Sequence, residues 1–123
     1  MSSKRFKKIL CLVGCVASLQ VAWAEVILIN QFKITPEKEL AFVAAWHKGN
    51  DVLSKCEGYV STKLHKSIQT PGTWINYAVW SSREAFQRAV SSLEFKKSVL
   101  EIRAQGATGS PELFEVHFSS AKP

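Results

Sequence analysis

The order of strand and helix signals after Ala24 is the feature that most restricts the fold of this chain. Four segments carry the alternating or clustered apolar residues typical of strands: 26–32, 59–68, 73–80 and 113–118. Three segments carry helical patterns: 35–58, 82–90 and 92–105. The order is βαββαβ with a divided second helix. It predicts an α+β, ferredoxin-like antiparallel sheet with its helices on one face.

Short polar motifs predict where these elements begin and end. Thr35-Pro36 is typical of a helix start, and Gly58 of the end of that helix. Ser81-x-x-Glu84 and Ser91-x-x-Glu94 have the form of capping boxes, which predicts that the two later helices begin there. Gly109-Ser110-Pro111 predicts a turn before the last strand.

Strand parity places a second apolar surface on the side of the sheet away from the helices. Successive strand residues point to opposite faces, so five residues share this outer face: Ile27, Ile29, Ile75, Tyr77 and Val79. A sheet that is apolar on both faces needs a cover on each. We therefore expect a homodimer in which two sheets meet face to face as a dimeric α/β barrel.

The first 24 residues have the composition of a secretory signal. Four basic residues precede an apolar run that begins at Ile9: Lys4, Arg5, Lys7 and Lys8. The run closes on Ala22-Trp23-Ala24, with small residues at the positions that a signal peptidase reads. The pattern predicts a signal peptide over 1–24 and a single exported domain over 25–123, with its core at about 26–118. The protein is expected to be periplasmic or secreted. A retained N-terminal anchor is the less favoured interpretation, since the run is short for a membrane span.

A lipoprotein signal is a second alternative within the same segment. Leu12-Val13-Gly14-Cys15 has the form of a lipobox, in which cleavage precedes a lipid-modified cysteine. The apolar stretch before it is very short, and the residues after Cys15 are mostly apolar rather than a polar tether. The signal-peptide interpretation is therefore preferred, and membrane attachment is expected only if Cys15 is lipidated.

Charge and cysteine content exclude several classes of protein. Removal of residues 1–24 takes away four of the 16 basic residues and none of the ten acids, which leaves 12 against 10 and a net charge of +2. The high overall basicity thus belongs to the signal and does not indicate nucleic-acid binding. Cys56 is then the one remaining cysteine, and no spaced His, Asp or Glu set predicts a metal site.

Two asparagines fall on the predicted helix-facing side of the sheet. Asn30 shares its face with Val26, Leu28 and Phe32, and Asn76 lies between Trp74 and Ala78 on the third strand. An amide on an apolar face is costly unless it is hydrogen-bonded. Either each amide bonds nearby backbone and fixes the fold, or the two line a polar-tipped apolar pocket between sheet and helices. Their shared face favours the pocket.

The run His65-Lys66-Ser67 and the stretch from Trp74 to Phe86 resemble the signature region of the antibiotic biosynthesis monooxygenase family. The similarity covers roughly residues 26–105. The resemblance implies a dimeric α/β barrel. It also implies oxidation of quinol-like or anthrone aromatics to quinones by molecular oxygen, without flavin, metal or haem.

The family triplet Asn-x-x-x-Trp-x-x-x-x-x-Tyr falls on Asn76, Trp80 and Phe86. By resemblance, Asn76 holds and polarises a substrate oxygen, and Trp80 packs the aromatic ring. The third position departs from the family, because Phe86 keeps the ring and lacks the hydroxyl that assists proton handling. Asn30 and Phe86 are predicted to contact the substrate.

Histidine positions bear on two further possibilities for the site. Haem-degrading relatives have a tryptophan and an axial histidine where this chain has Ala89 and Val99, so the resemblance does not imply haem degradation. His65 is the best histidine candidate for substrate contact because it lies within the family-like stretch. Its parity with Tyr59, Ser61 and Lys63 leaves open whether it reaches the pocket.

Two functions remain at the level of sequence. The first is a cofactor-independent monooxygenase that acts on a small electron-rich aromatic. The second is a non-catalytic exported binding or stress protein that keeps the pocket. Phe86 favours the second, whereas the family resemblance favours the first.

Overall fold

The computed structural model describes residues 24–123. The predicted signal peptide and its lipidated alternative at Cys15 lie outside the described residues, apart from Ala24. Within the described part of the chain, no helix is long and apolar enough to cross a membrane.

Four strands and three helices occur in the predicted order, with one short 3-10 turn between the first strand and the first helix. The elements are β1 (Val26–Lys33), a 3-10 turn (Pro36–Lys38), α1 (Glu39–Ser54), β2 (Tyr59–Lys66), β3 (Thr73–Trp80), α2 (Arg83–Val90), α3 (Leu93–Ala104) and β4 (Thr108–Glu115). The sheet has the order β2-β3-β1-β4, and each pair of neighbours is antiparallel. This is the predicted α+β, ferredoxin-like arrangement.

The helix-facing side of the sheet carries two apolar clusters. The first joins β1 and β3 to α1 and α2, through Leu28, Leu53, Ala78, Trp80, Ala85 and Ala89. The second joins the other end of β1 to α1, through Phe32, Ile34, Phe42, Trp46 and Ala107. Trp80 and Phe42 are fully buried, one in each cluster. The two asparagines of β1 and β3 lie between the clusters along the strands.

The helix boundaries differ from the predicted ones because of adjacent serines. Ser82 rather than Ser81 caps α2, and its hydroxyl accepts from the backbone N–H of Ala85 at 3.1 Å. Ser81 lies between β3 and α2, where its N–H donates to the carbonyl of Gly58 at 2.7 Å. At the next helix Ser92 caps α3 rather than Ser91.

Two other boundaries predicted from glycine and threonine were also displaced. The first helix ends at Ser54, not at Gly58, which adopts a positive φ of 91° in the turn before β2. Thr35 precedes a 3-10 turn, and its side chain makes no capping hydrogen bond. The second strand ends at Lys66, two residues before the predicted limit.

The last strand was predicted in the wrong place. It runs over Thr108–Glu115, so Gly109-Ser110-Pro111 lies within β4 instead of forming a turn, and residues 116–118 lie outside any strand. The pairing with β1 places Pro111 opposite Asn30. Because β4 is an edge strand, a residue without a backbone N–H is tolerated there.

Candidate functional site

A cavity of about 620 Å³ lies between the sheet and the helices. Its floor is formed by the helix-facing side of β1, β2 and β3, and its walls come from α1, α2, α3 and β4. Three apolar residues of α3 serve as a wall: Phe95, Val99 and Ile102 all line the cavity. The volume is that of a site for a small organic ligand.

The structure brings both predicted asparagines into this cavity. Asn30 and Asn76 are direct cross-strand partners in the β1–β3 pair, and both line the space. Asn76 is buried, and its Oδ1 accepts a hydrogen bond of 2.6 Å from the hydroxyl of Thr62 on β2. That bond fixes the orientation of the amide group and leaves its Nδ2 to donate to another partner.

Asn30 carries a buried oxygen without a partner. Its Oδ1 has no hydrogen bond within residues 24–123. A Cβ at Gly109 would lie 3.1 Å from this oxygen and 3.1 Å from Cε1 of Phe32, so glycine allows β4 to pack closely over both side chains. A buried acceptor left unpaired costs about 1–3 kcal/mol, which a donor in the cavity would recover.

Trp80 lies beneath the cavity and exposes none of its surface. The ring of Tyr59 meets it edge-on at 5.5 Å between centroids, and the ring of Phe86 does so at 5.7 Å. The indole Nε1 has no hydrogen-bond partner within the described residues. Trp80 is nevertheless one of the residues that line the cavity, so its ring forms part of the inner wall, packed against the rings of Tyr59 and Phe86.

Tyr59 and Asn50 line the cavity and were not predicted as site residues. The hydroxyl of Tyr59 donates to Oδ1 of Asn50 on α1 at 3.4 Å. A register shift between Tyr59 and Ser61 breaks the strict alternation of β2, so Tyr59 and Thr62 both face the cavity. A bulge of this kind leaves little trace in a sequence, whereas Asn50 could have been placed from its helical position next to Gly49.

His65 lies away from the cavity. It pairs with Ile75, whose side chain belongs to the outer face, and its exposed ring places Nδ1 3.3 Å from the carbonyl oxygen of Ile75. His65 is thus not among the residues that line the cavity. The bulge also separates His65 from Tyr59, with which strict alternation had grouped it.

The mouth of the cavity carries charge. Arg103 at the end of α3 lines it and is exposed, whereas Glu112 on β4 pairs with Ile29, so its side chain belongs to the outer face. Among residues 24–123, no group of three His, Cys, Asp or Glu side chains is close enough to hold a metal ion. Most polar side chains that line the cavity carry an amide or a hydroxyl group.

Comparison with solved structures gives the same fold in one cofactor-independent oxygenase and in proteins assigned as monooxygenases. SnoaB, a cofactor-independent oxygenase from Streptomyces nogalater, superposes with a TM-score of 0.72 at 23% identity over 80% of this chain and 99% of that one. A protein from Shewanella loihica PV-4, assigned as a monooxygenase, is 32% identical over 78% of this chain and 97% of its own, with a TM-score of 0.62. A Caulobacter crescentus protein, assigned as an antibiotic biosynthesis monooxygenase, has a TM-score of 0.69 at 14% identity over 77% and 92% of the two chains.

Comparison with sequence models of protein families agrees with the structural comparison. No curated protein sequence matches the chain. The sequence model of the family described as antibiotic biosynthesis monooxygenase matches residues 25–99, which include β1 to β3 and most of the cavity floor. The chain therefore belongs to the antibiotic biosynthesis monooxygenase family.

Proposed function

We propose that this protein is a cofactor-independent monooxygenase that oxidises a small quinol-like or polycyclic aromatic with molecular oxygen. The observation that carries the proposal is the pair of cross-strand amides, Asn30 and Asn76, in an otherwise largely apolar cavity. The cavity volume and its aromatic walls suit a flat ring system, and the amides suit its oxygen substituents.

With an anthrone-type substrate, the reaction replaces the ring methylene by a carbonyl. The substrate loses a proton to give a phenolate-type anion, which passes one electron to oxygen; the two radicals then join at the ring carbon as a peroxide. Protonation of the peroxide and loss of water give the quinone. In sum, one CH₂ group and one O₂ yield one C=O group and one H₂O.

The cavity residues contribute by binding and by electrostatics. In the proposal, the Nδ2 group of Asn76 donates to the substrate anion, and Thr62 keeps the amide in that orientation. Oδ1 of Asn30 accepts a hydrogen bond from the substrate or from a bound water. Donors already oriented in a cavity stabilise developing negative charge more than solvent does, because they need little reorganisation.

Oxygen consumption tests the proposal directly. Purified protein, treated with a chelator, is incubated with a panel of hydroquinones and anthrones, and oxygen uptake and quinone formation are followed together. We expect uptake above the uncatalysed rate for at least one compound, with one quinone formed for each O₂ consumed. Uptake no faster than in buffer for every compound would contradict the proposal.

The variant Asn76→Ala tests the role of the amide. If Asn76 holds the substrate anion, kcat/KM should fall by about 10- to 100-fold, the scale of a hydrogen bond to a charged group, while the melting temperature changes little. Gln87→Ala removes an exposed amide from α2 and is the matched control. A lowered melting temperature with normal turnover per folded molecule would assign Asn76 a structural role instead.

A non-catalytic binding protein is the second candidate, and Phe86 favours it. Phe86 lines the cavity without a hydroxyl, and together with Tyr59 it covers Trp80. A protein of this kind would bind the same aromatic compounds and consume no oxygen. Titration of the panel under argon, beside the oxygen measurements, separates the two functions.

A further inference from the structure

The two ends of the cavity floor offer polar groups of different kinds. On β3 the cavity is lined from Asn76, in the middle of the strand, to Trp80 at its end. Trp80 pairs with Tyr59 on β2. Four strand residues span about 13 Å at roughly 3.3 Å each, so the backbones of Asn76 and Tyr59 are separated by about that distance along the sheet. An amide therefore serves one end of the cavity and a phenol the other.

The hydroxyl of Tyr59 is held loosely. Its bond to Oδ1 of Asn50 is 3.4 Å long, whereas O–H···O hydrogen bonds are usually about 2.7–2.8 Å. By contrast, the hydroxyl of Thr62 is committed to Asn76 at 2.6 Å. A half-buried phenol with a long, replaceable bond is well suited to exchange its partner for a ligand oxygen.

The neighbouring polar groups cannot take that place. The indole Nε1 of Trp80 is covered, and Oδ1 of Asn30 lies at the other end, beside Asn76. Arg103 is exposed at the mouth, and the side chain of Glu112 belongs to the outer face. Tyr59 and Asn50 are thus the polar side chains placed at this end of the cavity, in the described part of the chain, with surface left for a ligand.

We propose that Tyr59, presented by Asn50, binds a second oxygen of the ligand, at the end opposite the oxygen held by Asn76. A ligand that reaches both must be bicyclic or larger and carry oxygens at opposite ends of its ring system. Tyr59 then selects among substrates by ring length and by the position of the distal oxygen. This inference deepens the proposed function by naming the substrate class, but its test needs binding alone.

The test compares two probes that differ by one distal oxygen, 2-naphthol and 2,6-dihydroxynaphthalene. Calorimetric titration under argon gives both dissociation constants. For the unaltered protein we expect the diol to bind about 5- to 10-fold more tightly than 2-naphthol, the scale of one added hydrogen bond. In Tyr59→Phe that ratio should fall to about 2, the statistical advantage of a symmetric diol, while the affinity for 2-naphthol is retained.

The second tyrosine of the chain provides the matched control. Tyr77 lies on the outer face of β3 and is 39% exposed, so Tyr77→Phe removes the same hydroxyl away from the cavity and should keep the full preference for the diol. A Tyr59→Phe protein with an unchanged preference, or an unaltered protein with a ratio of about 2 or below, would overturn the inference. A preference that depends on Tyr59 without any oxygen consumption would instead refute the monooxygenase and leave the inference standing.

Discussion

At the scale of single residues, the hydrogen bond from Thr62 to Asn76 decides what the cavity presents to a ligand. An amide can offer either an acceptor or a donor, and the Thr62 hydroxyl occupies the acceptor Oδ1 at 2.6 Å. The donor Nδ2 is thereby the group available to an anionic oxygen. Asn30 differs, because its unpaired Oδ1 offers an acceptor on the adjacent strand. The two amides are therefore complementary rather than redundant.

Replacement of Thr62 by valine tests this orientation. The change keeps the branched shape and removes the hydroxyl, so Oδ1 of Asn76 loses its partner. We expect the free energy of unfolding to fall by about 1–2 kcal/mol and the affinity for 2-naphthol to weaken, since the amide is no longer fixed. Thr35→Val is the matched control, because the exposed Thr35 side chain makes no capping hydrogen bond. If the Thr62→Val protein is as stable as the Thr35→Val protein and binds 2-naphthol equally well, the bond does not orient the Asn76 amide.

Strand parity alone predicted part of this site. Asn30 and Asn76 were placed on one face because β1 and β3 keep strict alternation over their whole lengths. Tyr59 was missed because the irregularity before Ser61 reverses the parity of β2, and the same irregularity made the position of His65 undecidable. The burial of Trp80 beneath two rings is a property of packing among three elements, which no single segment encodes.

At the scale of elements, pairs of adjacent serines make each helix start ambiguous in sequence. Ser81 and Ser82 can both cap α2, and the backbone bond from Ser81 to Gly58 decides between them by holding Ser81 at the end of β3, outside the helix. Ser91 is likewise taken by the preceding helix, because its hydroxyl donates to the carbonyl of Gln87 at 2.6 Å. Tertiary contacts thus select the cap from candidates of equal local propensity.

The two serines before α2 give a matched pair of variants. Ser82→Ala removes the buried hydroxyl that accepts from Ala85, and we expect a loss of about 1 kcal/mol in the free energy of unfolding. Ser81→Ala leaves the backbone bond to Gly58 intact, and we expect a change within about 0.5 kcal/mol. Urea unfolding of both variants measures the difference. A larger loss in Ser81→Ala than in Ser82→Ala would indicate that Ser81 caps α2, as the sequence predicted.

The edge strand β4 shows where local signals mislead. Gly109-Ser110-Pro111 has the composition of a turn, yet pairing with β1 over eight residues holds it extended. Gly109 is needed there because a side chain would press on Asn30 and Phe32. The glycine that indicated a turn therefore serves close packing of a strand over the site.

At the scale of the whole molecule, the two faces of the sheet are unequally covered. The helices bury one face, whereas on the other face Ile27 is buried, Ile29, Ile75 and Val79 are half-buried, and Tyr77 is exposed. Contiguous apolar surface of this kind is typical of an interface. The predicted homodimer, in which a second sheet covers this face, would give these side chains a partner. It would place the two cavities on opposite sides of the joined sheets, each built by its own protomer.

Sedimentation velocity tests this arrangement at micromolar concentration. We expect the purified protein to sediment with twice the mass of the chain, because burial of apolar surface stabilises association. Tyr77→Glu places a charge in the centre of the outer face and should yield monomers, since an unpaired charge is costly in a buried interface.

Leu40→Glu is the matched control for that variant. Leu40 is 89% exposed on α1, on the far side of the helical layer from the outer face, so a charge there should leave the dimer intact. Circular dichroism establishes that both variants are folded, which separates dissociation from unfolding. If the unaltered protein is a monomer, or if the two glutamate variants associate equally well, then the outer face is not the interface. Its apolar side chains would in that case have to be covered by some other partner, and the cavity, which is built within one protomer, would be unaffected.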